Sequence, residues 1–259
     1  MLKEMFTAAM GMLPQQTRLE VIANNMANAQ TAGFKRSEVF ERNLIDAREN
    51  FYNVQGDCEQ NDPPVGSYID FSNGAFQQTG NPLDIAIEND GFFVIQDDEG
   101  KESLTRQGHF TVDSEGYIVS QDGKYLEGTE GRLAIRNEWF ENPMITEDKK
   151  AINIKINQNG EVFANDFRIG SIKIVTVDNI QSLENISKAC FIPTQNSDIK
   201  EQSEESVSLR QGWLEASNVN IISEMVNMIE LQRLFEAGSK VIHTNDATLD
   251  NSIRIGRYL

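Results

Sequence analysis

The chain has 259 residues, 39% hydrophobic and 24% charged, enough for one large domain or two modest ones, which excludes wholesale disorder. Forty acidic against 23 basic side chains give a formal charge of −17, which excludes nucleic acid as a partner, since neutralising phosphates needs an excess of Lys and Arg. No run approaches about 18 uninterrupted apolar residues, so no membrane-spanning helix and no direct membrane insertion is expected.

The charge is unevenly placed. Residues 1–40 carry four basic and three acidic groups, residues 213–259 four and six, and residues 41–212 fifteen and thirty-one. Two nearly neutral ends bracket an acidic centre, whose self-repulsion directs any self-association to the ends. The opening MLKEMFTAAMGMLPQQ lacks the apolar block and cleavage site of a secretory signal. The expectation is a chain that stays in the cytoplasm or leaves the cell without a cleaved signal.

From residue 2 a seven-residue period predicts a helix. Leu2, Ala9, Gln16 and Ala23 form one row, and Met5, Met12, Leu19 and Met26 form another three positions on. The pattern stops at Gly33, a candidate left-handed residue just past the helix end. Gly11 and Pro14 predict a break or kink near residues 10–14. Asn24, Asn25 and Asn28 crowd the same segment; Asn is a weak helix former, so three in five positions point to specific hydrogen bonding at an interface. Residues 41–65, with Gln55-Gly56-Asp57 and Pro63-Pro64, read as a loose connector.

From about 66 to 212 the period changes. Turn signals at Glu99-Gly100, Glu115-Gly116, Asp122-Gly123, Glu130-Gly131 and Asn159-Gly160 punctuate short runs rich in β-formers. Strands are expected at 92–96, 103–106, 109–112, 117–120, 124–126, 152–156, 161–164 and 170–177, joined by tight hairpins whose two central residues take positive φ. Residues 195–210 read as an acidic return linker. Hairpins without long intervening helices predict an antiparallel all-β domain.

The C-terminus returns to a helical period. Ile221, Met228, Phe235, Ile242 and Leu249 follow at intervals of seven, flanked by Ile222, Met225 and Ile229 on one side and Leu231, Leu234 and Val241 on the other. Ser217-Asn218 is the cap candidate for a helix over about 219–253. Two such helices can cover one another's main rows but not their second apolar faces.

Catalytic patterns are missing. There is no phosphate-binding Gly-rich loop, no HExxH and no Gly-x-Ser-x-Gly elbow. His109 reads as a strand residue beside a hairpin, and His243 as a helix-surface or interface residue. Asp97-Asp98 and Glu204-Glu205 read as solvated loops rather than paired glycosidase acids. Cys58 and Cys190 lack CxxC spacing and read as unpaired thiols rather than a bridge. No catalytic, metal or cofactor site is expected, and the chain reads as a non-enzyme. A second reading is a secreted carbohydrate-active or adhesive β-domain protein with docked terminal helices.

Three segments together resemble the rod and hook proteins of the bacterial flagellum. The first runs from Ala23-Asn24-Asn25-Met26 to Gly33-Phe34-Lys35-Arg36. The second is Gly80-Asn81-Pro82-Leu83-Asp84 into Asp90-Gly91-Phe92-Phe93, followed by Leu104-Thr105-Arg106-Gln107-Gly108-His109-Phe110, similar to the family's Tyr-Thr-Arg-x-Gly-x-Phe. The third is Gln211-Gly212-Trp213-Leu214-Glu215-Ala216-Ser217-Asn218, then Glu224-Met225-Val226-Asn227-Met228 and Gln232-Arg233. The resemblance implies a structural subunit of the basal-body rod, the drive shaft that transmits motor torque to the hook. Its partners would be copies of itself, other rod subunits and the flagellar type III export apparatus. It would leave the cytoplasm without signal cleavage and lie in the periplasm-spanning rod.

The implied fold is α+β, a central antiparallel all-β domain flanked by N- and C-terminal helices that pair as a coiled-coil-like layer. Its divisions are a helical segment at 1–34, a connector at 35–65, the β domain with its return linker at 66–212, and a second helical segment at 213–259. The implied assembly interface comprises Leu2, Met5, Met12, Leu19, Asn24, Asn25, Met26, Asn28, Gly33 and Phe34 at one end. At the other it comprises Ile221, Met225, Met228, Leu231, Phe235, Ile242 and Leu249. A chain of 259 residues leaves no room for the outer domains of a hook subunit. The short connector favours the proximal-rod type, although the Asn-Met-Ile-Glu-Leu-Gln-Arg run resembles the distal type.

Overall fold

The computed structural model describes residues 2–41, 65–135, 153–165, 167–187, 189–194, 199–202 and 207–256. Two compact units emerge: one from Met1–Ala29, Arg36–Asp70 and Val219–Leu259, the other from Gln30–Lys35 and Phe71–Asn218. Together they form an α+β chain in which the helices are terminal and the strand pairs are antiparallel.

The first unit holds helix α1 (Leu2–Ala27), strands β1 (Ser37–Glu41) and β2 (Val65–Ile69), and helix α2 (Ile221–Gly256). The helices pack against each other, α1 also contacts β1, and β1 pairs with β2 in antiparallel register from Ser37↔Ile69 to Glu41↔Val65. Of the break or kink expected near residues 10–14, the break is absent, since α1 is continuous across Gly11 and Pro14. A proline removes one backbone donor, and here the bonds on either side carry the helix through. Helix α1 ends at Ala27, not at Gly33; the Asn28 backbone N–H donates to the Asn24 carbonyl at 3.1 Å and holds the last turn. The cap of α2 is Asn220 rather than Ser217-Asn218. Asn220 Oδ1 accepts from the N–H groups of Ile222 and Ser223 at 3.0 and 3.2 Å, whereas the Asn218 amide is taken by Ser72.

The second unit is built on a ten-stranded sheet. Its spine runs β15 (Leu183–Ser187), β16 (Cys190–Pro193), β6 (Glu102–Thr105), β5 (Phe92–Gln96), β9 (Tyr125–Gly128), β8 (Ile118–Ser120) and β7 (Phe110–Val112). Three further strands, β10 (Gly131–Arg132), β14 (Ile174–Val177) and β17 (Ile199–Glu201), pair at its sides. A three-stranded sheet joins β11 (Ile154–Ile156), β12 (Glu161–Ala164) and β13 (Phe167–Ser171). Two ribbons pair β4 (Ile85–Ile87) with β18 (Leu209–Gln211), and β3 (Phe76–Gln78) with β19 (Trp213–Glu215). Inward-facing Ile85, Phe93, Phe110, Ile118, Leu126, Val162 and Leu209 form one continuous core, with the Phe93 and Phe110 rings edge to face at 5.3 Å.

Several features differ from expectation, among them strands β15 and β16, which lie outside the expected set. The single strand expected at 170–177 is divided at Ile172-Lys173, because β13 and β14 belong to different sheets. Four of the glycine turns also differ in type from the expected tight hairpins. Gly100, Gly116, Gly123 and Gly160 each have positive φ and donate N–H to the carbonyl three residues back, while their non-glycine neighbours keep negative φ. These are type I turns closed by a left-handed glycine, the three-residue hairpin, which needs one positive φ rather than two. Within the expected return linker, β17 and the start of β18 are strands; 195–198 and 203–206 lie outside the described residues. Most of the connector, 42–64, lies outside them too, including Cys58. Cys190 is buried on β16, where desolvation pushes its thiol above the usual range.

Candidate assembly interface

In the first unit the N-terminal helix is tied to β1 by one asparagine. Asn25 is buried, its amide donates to the Ser37 carbonyl at 2.8 Å, and its Oδ1 accepts from the Ser37 N–H at 2.9 Å. The side chain thus imitates a neighbouring strand and satisfies both backbone groups of Ser37. Asn28 donates its amide to Asn24 Oδ1 at 2.8 Å within α1. Helix α2 is tied to the same chain segment through Arg36, whose Nε donates to Glu224 Oε1 at 2.7 Å and whose Nη1 reaches Glu38 Oε1 at 2.5 Å. Tyr68 on β2 donates to the other oxygen of Glu38.

The buried side of α2 runs through Glu224, Leu231 and the half-buried Gly238, a seven-residue series. It is offset from the expected row. Met228 and Ile242 are half-buried, whereas Ile221, Met225 and Phe235 remain exposed. So do Ile222 (74% exposed), Val226, Ile229, Leu234 and Val241. Among the described side chains, eight large apolar ones therefore face water along this helix of the single chain. On α1, Leu19 and Met26 are half-buried; the side chains of Leu2, Met5, Met12 and Leu249 lie outside the described ones.

Gly33 and Phe34 belong to the second unit and are buried there. The Gly33 N–H donates to the Glu215 carbonyl at 2.8 Å. Its φ of +70° brings it so close to residues 106 and 107 that an added Cβ would sit 2.4 Å from the Arg106 carbonyl carbon. Beside it, Lys35 Nζ reaches Glu215 Oε1 at 2.7 Å and the carbonyls of Ser72 and Phe71 at 2.8 and 3.3 Å. Arg106 Nη1 lies 3.4 Å from Glu215 Oε2, and its Nη2 donates to the Asn89 carbonyl at 2.9 Å. Burial lowers the proton affinity of Arg106, while Glu215 and Asp90 oppose that drift. Sequence reading missed this network, yet its three members come one from each resembling segment. Nothing local singled these three out, because each segment carries other charges as well, among them Arg36, Asp84, Asp90 and Glu224.

His109 pairs in a short antiparallel bridge with Asp84, Nδ1 to Oδ1 at 2.6 Å, and Asp84 also accepts from Thr79 Oγ1 and Asn81 Nδ2. His243 is exposed on α2. Among the described residues no cluster of His, Cys, Asp and Glu could hold a metal ion, and no helix is long and apolar enough to cross a membrane.

Comparison with known proteins agrees in three places. Residues 5–35 match the family model for flagella basal body rod proteins, 86–164 the D1 domain of flagellar hook protein FlgE/F/G, and 210–255 the C-terminal region of flagellar basal body rod FlgEFG proteins. The chain is 32% identical to the flagellar basal-body rod protein FlgG of Borreliella burgdorferi, covering 96% of this chain and 97% of the relative. It is 31% identical to FlgG of Bacillus subtilis, covering 99% and 100%. It is 31% identical to the rod protein FlgF of Buchnera aphidicola, covering 94% and 92%.

Proposed function

The chain belongs to the flagellar basal-body rod protein family, and on that premise we propose that it builds the rod by polymerising through α1 and α2. It is a structural subunit of the rod in the flagellar basal body and assembles with other rod subunits. In the proposed assembly the helices lie side by side as a coiled-coil-like layer. Leu2, Met5, Met12, Leu19 and Met26 of α1, and Ile221, Met225, Met228, Phe235, Ile242 and Leu249 of α2, face neighbouring copies. The buried Asn25, Leu231, Gly33 and Phe34 fix the geometry from inside the chain.

The observation that carries this reading is the set of exposed apolar side chains around α2. Finishing the burial of a half-exposed Ile, Val, Leu, Met or Phe contributes about 1 kcal/mol. Eight such side chains supply on the order of 8 kcal/mol, within the roughly 4–15 kcal/mol that association costs in lost freedom. A single pairwise contact is therefore marginal. A lattice in which each copy meets several neighbours is stable, and such non-closing contacts yield a filament.

The chain carries torque between the motor and the hook in the periplasm-spanning rod, and performs no catalysis. It travels through the flagellar type III export apparatus with its N-terminus uncleaved. Its likeness to proteins named FlgG supports a FlgG-type subunit, at whatever level of the rod FlgG occupies, in preference to a level inferred from connector length. The adhesive or carbohydrate-active reading loses its ground with the full-length likeness to rod proteins. The test is deletion of residues 219–259, or of 1–34, in a strain lacking the native copy. Loss of rods and swimming supports the reading, and normal motility after either deletion contradicts it.

A further inference from the structure

Resting on the reading that the terminal helices polymerise, we propose that the groove beside Glu224 receives a cationic, apolar helix face of a second copy, with that copy's Arg233 completing the Glu224 carboxylate. The groove lies within the first unit and measures about 370 Å³. Val21 and Ile22 of α1, Val39 of β1, and Leu231 and Leu234 of α2 give it an apolar part, while Arg18, Arg36, Glu38 and Glu230 make the rest of its lining charged. Glu224 also lines it. That carboxylate is 1% exposed; Oε1 takes the Arg36 guanidinium, while Oε2 is buried with no hydrogen-bond partner. Buried polar atoms normally have partners, so an unanswered acceptor in a part-apolar groove whose acids (Glu38, Glu224, Glu230) outnumber its cations (Arg18, Arg36) favours an occupant with apolar side chains around one strong cationic donor.

The chain carries such a surface on the other side of the same helix. At about 100° per residue, nine residues make two and a half turns, which sets Arg233 opposite Glu224. Around Arg233 lie Ile222, Val226 and Ile229, all exposed, with Lys240 further along the same face. One side of α2 thus offers an apolar stripe with cations, and the other a part-apolar groove in which acids outnumber cations. A copy cannot lay its own rear face into its own groove, but a second copy can. Because donor and receptor are different surfaces, each docked pair keeps one free groove and one free face, so the contact repeats without closing. Arg36 and Glu38, each about one-third exposed, line the groove beside Glu224, where rotamer adjustment on binding is common.

The test places a photoreactive benzophenone amino acid at Ile229 of the full chain, which leaves Arg233 intact. Rods are assembled in cells expressing a mixture of light and isotopically heavy copies, and cross-linked peptides are mapped. Inter-copy links into residues 18–25, 36–39 or 224–234 support the assignment. Inter-copy links only elsewhere overturn it while leaving polymerisation through α2 standing. No inter-copy link at all from this face overturns both. In parallel, Arg233→Gln and Glu224→Gln are each expected to lower incorporation into rods about tenfold, with the double variant no worse than either alone. Undiminished incorporation of Arg233→Gln, a change at an exposed position, or losses that multiply in the double variant, overturn the pairing.

Discussion

Lys35 and Glu215 stand 180 residues apart in the chain, and their side chains meet with Nζ 2.7 Å from Oε1, both almost completely excluded from water. Glu215 also faces Arg106, so one carboxylate answers two buried cations. Taking a charge out of water costs several kcal/mol unless it is paired, and removing the shared partner leaves two cations exposed to that cost. Glu215→Gln is therefore expected to destabilise the second unit by about 3–5 kcal/mol. Lys35→Met, which leaves Glu215 with Arg106 and removes one buried charge, is expected to cost clearly less. Urea unfolding of the two full-length variants, followed by tryptophan fluorescence, checks the order; equal losses would remove Glu215 from the centre of the network.

Gly33 gives a steric test of the same region. Its left-handed backbone alone makes alanine unfavourable by roughly 1–2 kcal/mol, before the clash of a Cβ with the Arg106 carbonyl is counted. Gly33→Ala is expected to lower the unfolding midpoint by more than Gly123→Ala, where positive φ is present but nothing lies within 4 Å. Equal shifts would mean that the close approach contributes nothing.

Asn25 tests the link between α1 and β1. Replacing it by Ala leaves the Ser37 N–H and carbonyl without their partner, at a cost of about 1–3 kcal/mol. Hydrogen exchange at the Ser37 amide is expected to accelerate at least tenfold while amides of β5 and β6 stay protected. An unchanged Ser37 rate would show that the bonded pair does not hold the strand.

Cys190 links burial to pH. Its thiol is held above the ordinary range because burial disfavours the thiolate, so the folded state keeps its proton where the unfolded chain has lost it. This contribution is fully present below the ordinary thiol pKa of about 8.5 and is lost as pH rises from there through the raised value. Stability is expected to fall with pH above that point, and Cys190→Ala to flatten the fall. At pH 8, iodoacetamide should modify Cys190 only as fast as the unit unfolds, measured by peptide mass spectrometry; rapid modification in native buffer would contradict the burial argument.

Local chemistry was legible in the sequence, and distant chemistry was not. Gly100, Gly116, Gly123 and Gly160 announced their turns, because a glycine beside Asp, Glu or Asn at a break in a β-rich run has few other uses. The turn type escaped notice because it depends on which carbonyl the glycine N–H reaches. The seven-residue rows announced α1 and α2. They did not announce that the buried line of α2 would pass through Glu224, since a glutamate is buried only when a partner such as Arg36 waits 188 residues away. Asn220 was passed over as the cap because Ser217-Asn218 fits the same local rule, and only the contact with Ser72 distinguishes them. The ions at 35, 106 and 215 were visible one by one, but their meeting is a property of the fold.

The exposed apolar side chains of α2 are the feature on which rod assembly depends, and Met225, half-exposed in the single chain, reports on them directly. Hydroxyl-radical footprinting compares the rate at which its thioether becomes the sulfoxide in the free chain and in purified basal bodies. The expected result is fast oxidation in the free chain and at least tenfold protection in the rod. Equal rates in both would contradict the account, because the helix side held to join one copy to the next would then be open to water in the finished shaft.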